Sequence, residues 1–131
     1  MDSLRELVFA HAADRYGVRP EYLWADSPDA AVLRRADNRR WFGLMMSVRR
    51  ARLGLPGAGF VCVLDVKCDP LLLGSLRREP GFLPAYHMNK ASWLTVLLDG
   101  SVPAEQIFDL LALSWELTAP AAKKTRRTAR P

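Results

Sequence analysis

Gly59-Phe60-Val61-Cys62-Val63-Leu64-Asp65-Val66-Lys67 is β-branched and nearly all apolar. A run of this kind offers no polar face to water, which marks it as a central strand with neighbours on both sides. The rest of the chain must supply those neighbours and a cover for the sheet. Ala31 to Arg35 begins one strand, which returns through Ala36-Asp37-Asn38-Arg39 into a second, Arg40 to Val48. Asp and Asn suit that tight turn because their side chains bond local backbone and tolerate left-handed conformations. Ala91 to Leu98 reads as a further strand closed by Asp99-Gly100, and Gly81 to Tyr86 as a short extended piece before it.

Three helices frame these strands. Ser3 and Glu6 have capping-box spacing, and Leu4, Leu7, Val8, His11 and Ala12 follow on one face, with Gly17 as the stop. His11 lies on that apolar stripe and reads as a packed histidine at the core edge, without chemistry. Asp69-Pro70 is an N-cap followed by proline at the first helical position, opening a helix that runs to about Arg78 and stops at Pro80. Ser101, Pro103 and Glu105 open the last helix, with Ile107, Leu110, Leu111, Ser114 and Leu117 as its buried stripe, flanked by Phe108 and Trp115. Tyr22 to Asp29 is turn-rich, and Arg49 to Gly59, with Gly54, Pro56 and Gly57, resists both helix and strand. The order α, three β, α, one or two β, α predicts an α+β fold: a two-layer sandwich, an antiparallel sheet with helices packed on one face. One domain is expected over residues 1–118. Residues 119–131 lack large apolar side chains and are expected to form a disordered basic tail.

Half the residues are hydrophobic and 25% charged, which excludes a disordered or collagen-like chain. No run approaches the roughly 18 apolar residues of a membrane span, and Met1-Asp2-Ser3-Leu4-Arg5-Glu6 does not resemble a signal peptide, so the expected location is the cytoplasm, with no membrane partner. Along an extended chain Cys62 and Cys68 lie some 20 Å apart, beyond disulfide reach, and read as buried, inert thiols. Phosphate-cradling glycine loops, a nucleophile elbow and a His-Glu-x-x-His zinc motif are all missing. With His11, His87, Cys62 and Cys68 at no metal-ligand spacing, no metal and no cofactor is expected, and the chain is read as non-enzymatic. Asp65, Asp69 and Asp99 read as residues at strand ends or helix starts, where capping and turns account for them.

The formal charge is +5. Five of the 19 basic residues, Lys123, Lys124, Arg126, Arg127 and Arg130, lie in the last eleven positions, which leaves 14 basic against 14 acidic side chains in residues 1–120. Within that neutral part, residues 34 to 52 hold Arg34, Arg35, Arg39, Arg40, Arg49, Arg50 and Arg52 against Asp37 alone. As a solvated hairpin these charges pair with acidic neighbours; as a wing, arginines at a hairpin tip project from the core and reach phosphates. A second polar-aromatic cluster, Tyr86-His87-Met88-Asn89-Lys90 with Trp93, reads either as a binding surface that stacks on rings or as a folded turn in which Asn89 satisfies backbone groups. Both alternatives stand for both segments.

Arg40-Trp41-Phe42-Gly43-Leu44-Met45-Met46, Val66-Lys67-Cys68-Asp69-Pro70, Gly81-Phe82-Leu83-Pro84-Ala85-Tyr86-His87-Met88-Asn89-Lys90, Trp93-Leu94-Thr95-Val96-Leu97-Leu98-Asp99-Gly100 and Leu113-Ser114-Trp115-Glu116-Leu117-Thr118 together carry a resemblance to the MmcQ/YjbR family of small bacterial proteins. With the N-terminal helix they span roughly residues 3 to 118; Trp115 stands where the family often has tyrosine, and the basic tail lies outside the likeness. The resemblance implies a fold similar to secretion-chaperone-like and frataxin-like architectures. It also implies DNA binding by a "double-wing" surface, bordered here by Arg40-Trp41-Phe42 and by the stretch from Tyr86 to Trp93. An iron function is not implied, because the first helix offers only Asp2, Glu6 and Asp14. The expected function is DNA binding by a monomer or homodimer, with the seven arginines on phosphates. The alternatives are a protein or peptide partner on the open sheet face, or a small ligand held by Trp41, Tyr86, His87, Asn89, Lys90 and Trp93.

Overall fold

A computed structural model describes residues 3–120; the basic run from Lys123 to Arg130 lies outside them. The first helix, α1, spans Leu4–Tyr16. Its capping box closes reciprocally: Ser3 Oγ accepts from the Glu6 amide at 3.1 Å and Glu6 Oε1 accepts from the Ser3 amide at 3.0 Å. Gly17, at φ +66°, terminates it in the left-handed conformation. Strands β1 (Ala31–Arg34), β2 (Trp41–Arg49), β3 (Phe60–Lys67), β4 (Phe82–Pro84) and β5 (Trp93–Leu97) form one antiparallel sheet in the order β1-β2-β3-β5-β4. The apolar run is indeed its middle strand. Helices α2 (Pro70–Leu76) and α3 (Ala104–Leu117) complete the α+β architecture, and Asp69 caps α2 through the Leu71 amide at 2.9 Å.

One core fills the space between the sheet and the helices, with Val8 and Ala12 of α1, Leu73 of α2 and Ile107 and Leu111 of α3 packed on Leu64, Val66, Leu94 and Val96. Ser114 fastens α3 across two strands. Its hydroxyl donates to the Phe42 carbonyl at 2.7 Å and accepts from the Lys67 amide at 2.9 Å. Those two residues lie two positions beyond the Leu44–Asp65 pair, where β2 and β3 have stopped pairing directly. A side chain from the helix thus replaces a ladder bond.

The β1–β2 register slips at one point: Leu33 faces Gly43 and Arg34 faces Trp41, so Phe42 is an extra residue. Such a bulge shifts the in–out alternation by one. Phe42 and Met45 therefore enter the helix-side core, whereas Trp41, Leu44, Met46 and Val48 all turn to the other face. That outer face departs from the open surface expected of it. Val32, Val61, Val63 and Leu97 are buried there, under Ala30, Leu53, Leu55, Tyr86 and Met88. Loops form this roof, anchored where Glu21 bridges to Val32. The segment expected to lack helix contains a 3-10 turn, Arg50–Leu53, closed by Gly54 at φ +71°; a bond from Arg50 Nε to the Pro56 carbonyl at 2.7 Å ties it down. Asp65, expected at a strand end, lies inside β3 between Leu44 and Thr95 and is fully buried. No described helix is long and apolar enough to cross a membrane.

Candidate functional site

The loop roof leaves a groove of about 740 Å³ over the outer face. Its floor is Leu44, Met46 and Val48 of β2, and its walls come from the Trp24–Ala30 segment, Trp41, Tyr86, His87 and Met88. Arg49, Arg52 and Phe60 lie at the far end of β2 and also line it. A second groove of about 410 Å³ is lined by Arg39, Arg40, Lys67 and Trp93, and Trp41 and Met88 line both. Trp41 is steadied by Trp24, whose ring meets it edge-on at 5.9 Å and 81°.

The seven arginines separate into three groups. Arg34 pairs with Glu21 at 3.0 Å. Arg35, expected at an exposed tip, instead turns inward and is 4% exposed. Its guanidinium makes two bonds to the Asp37 carboxylate, at 2.9 and 2.8 Å, donates to the Trp115 carbonyl and lies 3.7 Å over the Trp115 ring. The bond from Arg35 holds Asp37 below the usual carboxylate range. A planar fork can satisfy a carboxylate and stack on indole together, which is why the turn consumes an arginine. Arg50 is tied to Pro56. That leaves Arg39 and Arg40 exposed at one end of β2 and Arg49 and Arg52 exposed at the other. A nine-residue strand separates the two pairs by about 26 Å. The seven therefore do not form one basic tip.

The Tyr86–Lys90 segment divides likewise. Asn89 serves the backbone: its side chain accepts from the Ala91 amide at 2.8 Å and its carbonyl from the Ser92 and Trp93 amides. Lys90 is exposed at the surface and its carbonyl accepts from Arg77. Trp93 is buried on the outer face. Tyr86 and His87 reach the groove with their rings 4.2 Å apart, and His87 adopts φ +69°, a left-handed conformation few non-glycine residues hold.

Beneath this segment the Tyr86 amide donates to Thr95 Oγ1 at 2.8 Å, and that hydroxyl donates to Asp65 Oδ1 at 2.5 Å. Asp65 Oδ2 has no hydrogen-bond partner among the described residues. Burial pushes this carboxyl up to about 7, against smaller lowering effects from Thr95 and Lys90. Sequence reasoning missed Asp65, although a carboxylate inside an apolar β-branched run was itself the signal. It also missed Trp24, concealed in a turn-rich segment, and Phe60, which an apolar strand disguised as a core residue. His11 stacks on Phe108 at 4.0 Å at the core edge. Cys62 and Cys68 are free thiols pushed up by burial. Among the described residues, no three His, Cys, Asp or Glu side chains come together to hold a metal ion.

The architecture defines an α+β domain with an open five-stranded antiparallel sheet, helices on one face and a roofed groove on the other. The family model YjbR matches residues 13–117, and the chain belongs to the YjbR family. It is 39% identical to the uncharacterized protein YyaQ of Bacillus subtilis (strain 168) over 114 residues, which is 87% of this chain and 97% of the relative. It is 41% identical to the uncharacterized protein YjbR of Escherichia coli (strain K12) over 54 residues, 40% of this chain and 46% of the relative. A crystal structure of a Pseudomonas syringae protein superposes with TM-score 0.86 at 41% identity, covering 91% of this chain and all of that one. A Deinococcus radiodurans protein with a DUF419 domain superposes with TM-score 0.65 at 27% identity, over 89% of this chain and 78% of that one.

Proposed function

We propose that this protein is a non-enzymatic nucleic-acid-binding domain that holds phosphates with the arginines at the two ends of β2. The observation that carries the reading is the pairing of exposed cations, Arg39 and Arg40 at one end and Arg49 and Arg52 at the other, along grooves that share Trp41. Arginine at a groove edge is suited to phosphate because its fork donates two bonds at once. The cations from Lys123 to Arg130 add affinity that does not depend on sequence.

The test is a salt titration of labelled DNA binding by the full chain and by a variant carrying Arg39→Gln, Arg40→Gln, Arg49→Gln and Arg52→Gln. Four lost phosphate contacts flatten the log–log salt slope by about 3 to 4. An unchanged slope refutes the assignment of these arginines and leaves only the C-terminal cations attracting polyanion. A second reading, a peptide partner, draws on the exposed run Tyr22, Leu23 and Trp24 beside the groove. It takes precedence if neither form binds DNA at micromolar concentration.

A further inference from the structure

We infer that the ligand of the outer face is a single strand of nucleic acid, with unpaired bases stacked in the aromatic groove and its phosphates held at the two basic ends. This rests on the nucleic-acid reading above and goes beyond it by naming the strandedness and the part played by each side chain. Three features of the grooves carry it.

The first is where aromatic surface is left uncovered. Trp24 is 37% exposed and Phe60 58% exposed, and both line the larger groove with Trp41, Tyr86 and His87. Rings held at a groove wall with free faces are platforms for bases, and a base can stack on them only once it has left a duplex. A duplex would present sugar and phosphate to these rings instead. Arg49, 4.8 Å above the Phe60 ring, adds a cation beside one such platform.

The second is the layout of charge along the grooves. The cations occupy the ends, about 26 Å apart, with Phe60 at the Arg49 end, and Trp24, Tyr86 and the thioethers of Met46 and Met88 line the surface between them. That span suits a short strand of about four nucleotides, the lower end of the range for single-strand grooves. Asp26 and Asp29 also line the larger groove. Carboxylates repel phosphate and accept from base N–H groups, so bases rather than backbone belong beside them.

The third is what the hairpin lacks. A duplex groove is best entered by a projecting cluster of cations, but of the four arginines at the β1–β2 connection Arg35 is folded inward onto Asp37 and Trp115 and Arg34 is paired with Glu21, which leaves Arg39 and Arg40. The cations left exposed border concave surface.

The experiment compares binding of the full chain to labelled oligothymidylate, to oligouridylate and to a duplex, each of about 20 nucleotides per strand. It follows anisotropy and tryptophan fluorescence, for the parent, Trp24→Ala and Phe60→Ala. Phe60→Ala is expected to melt with the parent because that ring is 58% exposed, and Trp24→Ala, which also loses the edge contact to Trp41, is compared at a temperature where its own melting curve shows it folded. The expected result is tighter binding of a single strand than of duplex, quenched tryptophan emission, and a loss of about tenfold in single-strand affinity for each variant. The two single-strand arms distinguish whether the DNA or the RNA strand is preferred, and preference for either over duplex supports the inference. Duplex bound as tightly as single strand, with both variants at parental affinity, overturns it while leaving the phosphate-binding reading in place. No binding to any of the three overturns both.

Discussion

Asp65 makes the folded state sensitive to pH in a direction opposite to that of most carboxylates. In the unfolded chain it ionises near its ordinary 3.8, whereas in the native sheet it keeps its proton up to about 7. Between those values the native state binds more protons than the unfolded state, so stability falls as pH rises through this window and levels off above it. The rise from 3.8 to about 7 corresponds to roughly 4 kcal/mol in full, of which somewhat more than half, roughly 2 to 3 kcal/mol, is lost between pH 5 and pH 8. Other groups with resolved shifts act elsewhere. Asp37 and Asp99 are held low, so their contributions are lost only in more acidic solution, while Tyr16, Cys62 and Cys68 are raised from values already well above 8. Asp65→Asn keeps the shape and the acceptor for Thr95 but cannot ionise. Urea unfolding at pH 5, 6, 7 and 8 is expected to show the parent losing stability across the series and the variant lacking that component. Whatever constant cost the amide's unpaired donor adds, the slope is the readout. A parent flat from pH 5 to pH 8, or a variant with the parent's slope, refutes the argument that burial holds the proton.

Two further perturbations address the frame around the groove. Ser114→Ala leaves the Phe42 carbonyl and the Lys67 amide unpaired under α3, and is expected to cost about 2 kcal/mol or more in urea unfolding and to speed amide exchange at Lys67; parental exchange there would show that the hydroxyl does not hold β2 to β3. Gly81 has φ +91°, and a Cβ on it would run into the Val102 side chain and Ser101 Oγ, so Gly81→Ala should lower the urea midpoint by the equivalent of about 2 kcal/mol or more. An unchanged midpoint would mean that the Gly81–Val102 approach is loose.

The fold was legible wherever the controlling interaction is local. The capping box at Ser3 and Glu6, the Asp69 cap, the Gly17 stop and the apolar run of β3 depend on residues within a few positions of one another, and each stands where the sequence puts it. The family was legible as well, since its motifs are contiguous stretches. The candidate site was less so. Arg34 to Arg52 read as one basic segment because they are close in the chain. In space, Arg34 meets Glu21 and Arg35 meets Trp115, partners 13 and 80 positions away, so charge counting could not anticipate their removal from the surface.

Element order and helix boundaries follow from side-chain spacing and backbone preference, which a chain carries at every position. Which side of the sheet a residue faces beyond an irregularity depends on pairing with another strand. The single extra residue at Phe42 sends Trp41 to the outer face, and no periodicity within β2 records it. The same holds for Asp65: its chain position shows a carboxylate in an apolar strand, but its exclusion from water, its bond to Thr95 and its link through Thr95 to Tyr86 arise only when β2, β5 and the loop roof close around it. Desolvation and long-range pairing are properties of the assembled layers, and they turned one arginine-rich segment of a charge-balanced domain into a roofed surface with two basic ends.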